Sequence, residues 1–171
     1  MTRRFRGESV HKVDPKGRVS IPAPFRRVLE EGDPDWTEGL NPNLVIVYGR
    51  PGRSCLECFS IRAMGDIDDM ISALPRFSRD REMLERFLNT RSTYAQVDEN
   101  GRMVLSQRLR DMIGVRDEAT FAGMGDKFEI WEPEAFEADQ ARIDREMAEE
   151  GGERDPFALL DRLQMRGGAG A

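Results

Sequence analysis

The sequence is poor in the residues that form disulfides, metal sites and proton relays. Its 171 residues include two cysteines, Cys55 and Cys58, and one histidine, His11. Two thiols three positions apart cannot supply a disulfide framework, so burial of apolar side chains must stabilise the fold. A tetrahedral zinc site needs four ligands, and His11 is far from both thiols in the sequence. We therefore expect buried or idle thiols, no metal and no cofactor.

Signatures of catalysis and of membrane insertion are missing as well. The sequence has no Gly-x-Ser-x-Gly motif, no glycine-rich phosphate loop and no second histidine. It has no run of about 18 apolar residues, and the start Met-Thr-Arg-Arg-Phe-Arg is followed by charge rather than by the apolar core of a signal peptide. These absences predict a cytoplasmic protein that is not an enzyme, with neither a small-molecule substrate nor a membrane partner.

Positive charges are outnumbered by negative charges overall, but they are concentrated at one end. The net charge is −6, yet residues 1–30 hold eight cations against three anions, a local balance of +5 that leaves −11 for the rest. Phosphate groups respond to the field within about 8–10 Å, so a basic end on an acidic body can bind DNA. A solvated basic terminus without a ligand is the alternative interpretation of the same charges.

An internal repeat at an offset of 84 residues is the most informative feature. Residues 13–21 align without a gap with residues 97–105, and apolar positions stay apolar. Turn tips of Pro-Lys-Gly and Glu-Asn-Gly, each followed by alternating polar and apolar residues, predict strand, turn, strand and short helix in each copy. A second β-rich stretch is predicted after each helix, at residues 44–48 and 58–61 in the first copy and 119–122 and 128–131 in the second.

Helices are predicted from capping residues and from apolar spacing. Ser106 and Gly114 bracket a helix over residues 107–113, and helical spacing over residues 67–88, divided at Pro75, predicts two connecting helices. These patterns predict four parts: a first repeat at 8–61, a helical connector at 62–94, a second repeat at 95–138, and an acidic helical tail at 139–171 that frays at its end.

Two segments of the chain resemble a known family. Residues 5–8 and 14–22 closely resemble the N-terminal signature of MraZ proteins, and residues 92–94 and 98–105 look like that family's second half. The resemblance, which runs from about residue 5 to 137, implies a mainly β fold with flanking helices (α+β). It implies an AbrB/MazE/MraZ-like swapped-hairpin double-split β-barrel formed by two SpoVT-AbrB-like repeats.

The resemblance also implies a function. MraZ proteins are expected to form homo-oligomeric rings and to bind repeated boxes in double-stranded DNA, upstream of a division and cell-wall gene cluster that includes their own gene. A nucleoid-associated transcriptional regulator is the resulting expectation for this chain.

The candidate site residues lie in the two Asp-x-x-x-Arg turns. The resemblance assigns DNA contacts to Lys16, Arg18 and Arg102, and Arg18 is the candidate base contact, because a guanidinium can donate to both O6 and N7 of guanine. Flanking cations, Arg4 and Lys12, are predicted to hold phosphates. In the second turn Asn100 replaces Lys16, so a cation is missing there.

Two alternatives stay open at this point. In the first, Asp14 and Asp98 pair with the turn arginines only to shape the turns, and Gly17 and Gly101 supply backbone freedom. In the second, the chain is a barrel-based oligomeric adaptor that binds protein partners through the apolar stripe at residues 157–163.

Overall fold

The computed structural model describes residues 3–151, 154–168 and 170. The chain divides into two compact units, Met1–Pro133 and Glu134–Ala171. In the first unit the described elements are, in chain order, β1 (Glu8–Lys12), β2 (Arg18–Ser20), α1 (Ala23–Glu31), β3 (Asn43–Val47), β4 (Leu56–Ser60), α2 (Ile61–Ser72), α3 (Arg79–Thr90), β5 (Ser92–Gln96), β6 (Arg102–Val104), α4 (Gln107–Ile113), β7 (Glu118–Gly123) and β8 (Lys127–Trp131).

The order of elements agrees with the strands and helices predicted for each copy of the repeat. Each copy has a strand, a turn, a short strand, a helix and then two further strands, with the predicted strands found within a few residues of their predicted bounds. Ser106 caps α4 by accepting a hydrogen bond from the Leu109 N–H at 3.3 Å, and Gly114 ends it in the left-handed conformation. The connector consists of two helices, and Pro75 lies between them as predicted.

Strands are exchanged between the two repeats. The six-stranded antiparallel sheet has the order β1-β7-β8-β4-β3-β5, so the first strand of each copy pairs with a strand of the other copy. Strands β4 and β8 pair at the centre. The short strands β2 and β6 pair with each other, again one from each copy, and form a separate two-stranded sheet that we call the β2–β6 ribbon; Val19 of β2 also forms an isolated bridge with Val13.

The mixed α+β class is confirmed, although more described residues lie in helices than in strands. The connector and the helices after residue 132 account for that excess. No closed barrel is found among the described residues, because β1 and β5 stand at the two ends of the large sheet and the β2–β6 ribbon bonds to neither. Barrel closure therefore stays a prediction, as does the four-part division of the chain.

The main core lies between the inner face of the large sheet, the β2–β6 ribbon and helices α1 and α4. Four phenylalanines at its centre contact one another, with ring centroids 5.1–5.7 Å apart: Phe5, Phe25, Phe121 and Phe128. On the other face of the sheet, Val45, Val47 and Phe59 form a smaller cluster that packs against α2 and α3. The ribbon belongs to the main core, which buries its Val19 and Met103 side chains.

The second unit is helical and was predicted to be so. Its described elements are α5 (Pro133–Gly151), which begins one residue before the unit, and α6 (Pro156–Gly168). Helix α6 exposes Phe157, Leu160 and Leu163 by half or more of their surface. The predicted frayed end falls partly on residues 169 and 171, which lie outside the described residues. None of the helices in the described part of the chain is long and apolar enough to cross a bilayer.

Candidate nucleic-acid interface

The β2–β6 ribbon has one buried face and one open face. Its register places Val19 opposite Met103, and both side chains are 1% exposed because they enter the core. Side chains alternate across a strand, so the neighbouring positions face outward. The outward face carries Arg18, Ser20, Arg102 and Val104. The structure thus brings the two predicted arginines of separate repeats onto one surface.

In the first turn, the carboxylate of Asp14 organises the backbone and holds Arg18. Its Oδ1 accepts hydrogen bonds from the N–H groups of Lys16 and Arg18, both at 2.9 Å, and its Oδ2 accepts one from Arg18 Nε at 2.5 Å. The backbone N–H of Arg18, more than any other group, holds the pKa of Asp14 below its usual value. In the described part of the chain nothing accepts from the terminal nitrogens of Arg18, so both stay available to a ligand.

The second turn repeats this geometry with a longer ion pair. Asp98 Oδ1 accepts from the N–H groups of Asn100 at 2.8 Å and Arg102 at 3.0 Å, while Arg102 Nε lies 3.5 Å from Asp98 Oδ2. The backbone N–H of Arg102 is the main cause that lowers the pKa of Asp98. Shaping the turn and presenting an arginine are therefore compatible roles for one carboxylate.

Each turn is bonded to the strand end of the other repeat. Leu105 N–H donates to the Gly17 carbonyl at 2.7 Å, and Ile21 N–H donates to the Gly101 carbonyl at 2.9 Å. Both glycines have positive φ, +84° and +75°. A Cβ at Gly17 would lie 2.1 Å from the Leu105 carbonyl oxygen, so the close approach of these two backbone segments requires glycine there.

Comparison with known proteins places the chain in a family. A family model described as "MraZ protein, putative antitoxin-like" matches residues 90–155. A protein named transcriptional regulator MraZ from Ruegeria pomeroyi is 51% identical over 162 residues, which are 94% of this chain and 97% of the relative. The protein of that name from Cereibacter sphaeroides is 41% identical over 168 residues, 94% and 98% of the two chains. The corresponding protein from Methylocella silvestris is 38% identical over 128 residues, 75% and 73% of the two chains.

The chain belongs to the MraZ family of transcriptional regulators.

Two further arginines of this MraZ-family protein lie against the turns, and sequence reasoning assigned them no role. Arg110 Nε donates to the Leu105 carbonyl at 3.0 Å beside Gly17. Arg26 lies against Gly101, where a Cβ would be 1.6 Å from its Nη1. Neither forms an ion pair with a carboxylate of the described residues. The signal in the sequence was their matched position in the two copies, one helical turn into α1 and α4.

The remaining predicted cations of the MraZ-family chain are not all near the ribbon. Lys16 is exposed at the tip of the first turn, and Lys12 is exposed at the end of β1, two residues before Asp14. Arg4 instead lies against Gly125 in the turn between β7 and β8, eight residues and roughly 25 Å of extended chain from Lys12. The structure therefore groups the other predicted cations and separates Arg4 from them.

The two thiols lie away from this surface and within the core. Cys55 and Cys58 are 3% and 0% exposed, and burial raises the pKa of Cys55 to about 12 and that of Cys58 well above its usual value. Both are uncharged thiols at neutral pH. No group of three or more acidic, cysteine or histidine side chains suited to a metal ion occurs among the described residues.

Proposed function

We propose that this MraZ-family protein is a sequence-specific, non-enzymatic DNA-binding regulator that contacts the major groove through the outward face of the β2–β6 ribbon. One observation carries the proposal: Arg18 Nε donates to Asp14 and Arg102 Nε lies 3.5 Å from Asp98, and no acceptor in the described part of the chain binds the terminal nitrogens of either arginine. A guanidinium fixed in this way loses little conformational freedom when it binds.

The chemistry of the groove fits this arrangement. Guanine presents O6 and N7 as adjacent acceptors in the major groove, and two parallel N–H donors of one arginine match them. The groove is about 12 Å wide and admits a two-stranded ribbon. The two side chains are 40% and 34% exposed, so contact with bases requires no unfolding.

We place contacts with phosphate around the two arginines. Lys16 projects from the first turn and Lys12 lies close behind it, and lysine suits phosphate as a point charge. Arg4 is left out of the proposed contact surface because it lies at the opposite end of β1. The second turn holds Asn100 in place of a lysine, so we propose that the first repeat contributes more of the salt-dependent binding than the second.

The proposal also includes what the family resemblance implies about the protein's location, assembly and DNA target. The protein would act in the cytoplasm at the nucleoid, form a homo-oligomeric ring, and bind tandem boxes upstream of its own division and cell-wall gene cluster. A ring supports specific binding because it tethers several β2–β6 ribbons to one duplex.

The deciding experiment is a gel-shift titration with the duplex upstream of the protein's own gene and a scrambled duplex of equal length and composition. We expect the upstream duplex to bind more tightly by a factor of about 10³ or more. Arg18→Ala should reduce that difference, since loss of one bidentate contact costs about 1–3 kcal/mol, while it retains the weak binding to scrambled DNA. Equal affinity of the wild-type protein for both duplexes would contradict the proposal.

The adaptor hypothesis is supported by helix α6. Its exposed apolar side chains, Phe157, Leu160 and Leu163, lie on one stripe and fit a protein groove better than a phosphate backbone. An adaptor would show no sequence preference in the same titration, and Leu160→Glu would then impair its function while Arg18→Ala would not.

A further inference from the structure

One side chain on the outward face of the β2–β6 ribbon does not match its polar neighbours. Val104 is 59% exposed, although Met103 and Leu105 on either side of it are 1% and 0% exposed. The matched residue in the first repeat is Ser20, 84 positions earlier. The two repeats thus present the same arginine but differ two residues later, where one carries a hydroxyl and the other two methyl groups.

The register places Val104 beside an arginine of the other repeat. Val104 pairs directly with Arg18, and Ser20 pairs directly with Arg102. Directly opposite residues on one face of an antiparallel pair have Cβ atoms about 4.5–5.5 Å apart. Each arginine therefore has a different cross-strand partner: a valine for Arg18 and a serine for Arg102.

We propose that Val104 is a specificity-determining residue that contacts the C5 methyl group of a thymine next to the base contacted by Arg18. The inference rests on the proposed DNA-binding function. Thymine is distinguished in the major groove by this methyl group, which apolar side chains contact. Val104 has no polar side-chain atom for a phosphate, so base contact is the interaction with DNA that its chemistry favours.

The separation of neighbouring base pairs agrees with this assignment. Base pairs stack about 3.4 Å apart, so two side chains separated by about 5 Å across the ribbon reach adjacent or next-adjacent pairs. Ser20 can donate to or accept from any base and gains nothing particular from a methyl group. The cross-strand pair Arg18–Val104 therefore distinguishes thymine from cytosine through the methyl group of thymine, and the pair Arg102–Ser20 does not.

The test removes the methyl group from the DNA. A duplex selected by the wild-type protein from a random library is resynthesised with each thymine replaced, one at a time, by deoxyuracil, which lacks only that methyl group. We expect one replacement to weaken wild-type binding about fourfold, the effect of losing one buried methyl contact. Val104→Ala and Val104→Ser should bind this uracil duplex and its thymine parent equally well.

Two variants serve as controls. Val104→Thr keeps one methyl group and should stay sensitive to the uracil replacement, and Ser20→Ala, the matched change in the other repeat, should be as sensitive as the wild type. All four variants should melt at the wild-type temperature, because both positions are exposed.

Three outcomes would overturn the inference. The first is a wild-type protein indifferent to uracil at every position, and the second is a Val104→Ala variant as sensitive as the wild type. The third is a Val104→Ala variant whose elution volume in size-exclusion chromatography changes while its discrimination of uracil does not, which would assign the side chain to subunit contact. A wild-type protein that selects no sequence at all would overturn the proposed function itself.

Discussion

At the scale of single residues, Nε and the terminal nitrogens of each turn arginine have different partners. Nε points to the aspartate four residues earlier, and the terminal nitrogens are left for a ligand. We predict that Arg18→Ala lowers the free energy of specific DNA binding by about 1–3 kcal/mol without changing the melting temperature much. Arg18→Lys should keep the weak binding to scrambled DNA but should not restore the specificity, because an ammonium cannot donate two parallel hydrogen bonds. Loss of the folded state in Arg18→Ala would show instead that the arginine only shapes the turn.

Lys16 differs from the arginines because no carboxylate of the described residues holds it. The logarithm of affinity falls linearly with the logarithm of salt concentration, and each phosphate that the protein neutralises makes this slope steeper by about 0.9. We predict that Lys16→Ala reduces this slope by about one and leaves the preference for the selected sequence intact. Asn100→Lys, the reciprocal change in the second turn, should increase the slope. Titrations between 50 and 200 mM salt would measure both, and an unchanged slope in Lys16→Ala would remove this residue from the phosphate contacts.

Asp14 allows the two roles of a turn aspartate to be separated. In Asp14→Asn the side-chain oxygen can still accept from the two backbone N–H groups, but the amide nitrogen cannot accept from Arg18 Nε. We predict that Asp14→Asn weakens specific binding while the melting temperature changes little, whereas Asp14→Ala lowers both. Equal effects of the two variants on stability and on binding would contradict a positioning role for the carboxylate.

The same aspartate sets a pH dependence. Since folding lowers the pKa of Asp14, its stabilising contribution is present above the unfolded value near 3.9 and is lost as pH falls through the lower folded pKa. The ion pair is therefore intact between pH 5 and 8, so the comparison of the Asp14 variants is valid at neutral pH.

At the scale of elements, local sequence patterns predicted which strands and helices form but not which strands pair with each other. Alternation, turn residues and caps predicted the strands, the two connecting helices and α4. The exchange of β1 and β5 between repeats was expected only from the family resemblance, because no local pattern specifies which strand lies beside which. The contacts of Arg26 and Arg110 with the opposite repeat were missed for the same reason. Arg4 was predicted as a flanking phosphate contact together with Lys12, and the order of residues alone did not show that the two lie at opposite ends of β1.

A Cβ added at Gly17 and one added at Gly101 would contact different atoms, so alanine should cost different amounts of stability at the two positions. Gly17→Ala forces a Cβ against the Leu105 carbonyl oxygen, which belongs to the backbone. Gly101→Ala meets the Arg26 side chain, whose flexible end can move. We predict that Gly17→Ala lowers the free energy of unfolding by roughly 2–3 kcal/mol and Gly101→Ala by roughly 1–2 kcal/mol, the cost of positive φ being common to both.

A double-mutant cycle gives the control. Adding Arg26→Ala should recover stability in Gly101→Ala and not in Gly17→Ala, as measured by urea denaturation. If Arg26→Ala has the same effect in both backgrounds, the side chain does not determine the cost at Gly101.

At the scale of the whole molecule, one chain offers few base contacts. Each bidentate contact discriminates by about 1–3 kcal/mol, whereas specific binding exceeds non-specific binding by about 4–10 kcal/mol. Arg18 and Arg102 alone cover only part of that range. Several ribbons tethered in one oligomer would supply the remainder, because the second contact forms at an effective concentration that reaches roughly millimolar.

Tethered binding depends on the spacing of the DNA boxes. We expect affinity to rise steeply from one box to two boxes separated by one helical turn, about 10–10.5 base pairs, since both then face the same side of the duplex. Inserting half a turn between them should remove most of the gain. Titration of the three duplexes tests this, and equal affinity for all three would contradict tethered binding even for a protein that binds DNA.

The exchange of strands between repeats also has a consequence for synthesis on the ribosome. Strand β1 cannot pair until β7 has been made, and the β2–β6 ribbon cannot form until Val104 has emerged. At about 5–20 residues per second, the 84-residue offset leaves β2 unpaired for roughly 4–17 seconds. During part of that interval the apolar strand β3 can pair with β4 but still lacks β5, so the nascent first repeat has unpaired strand edges that are open to wrong pairing and suited to binding by a chaperone.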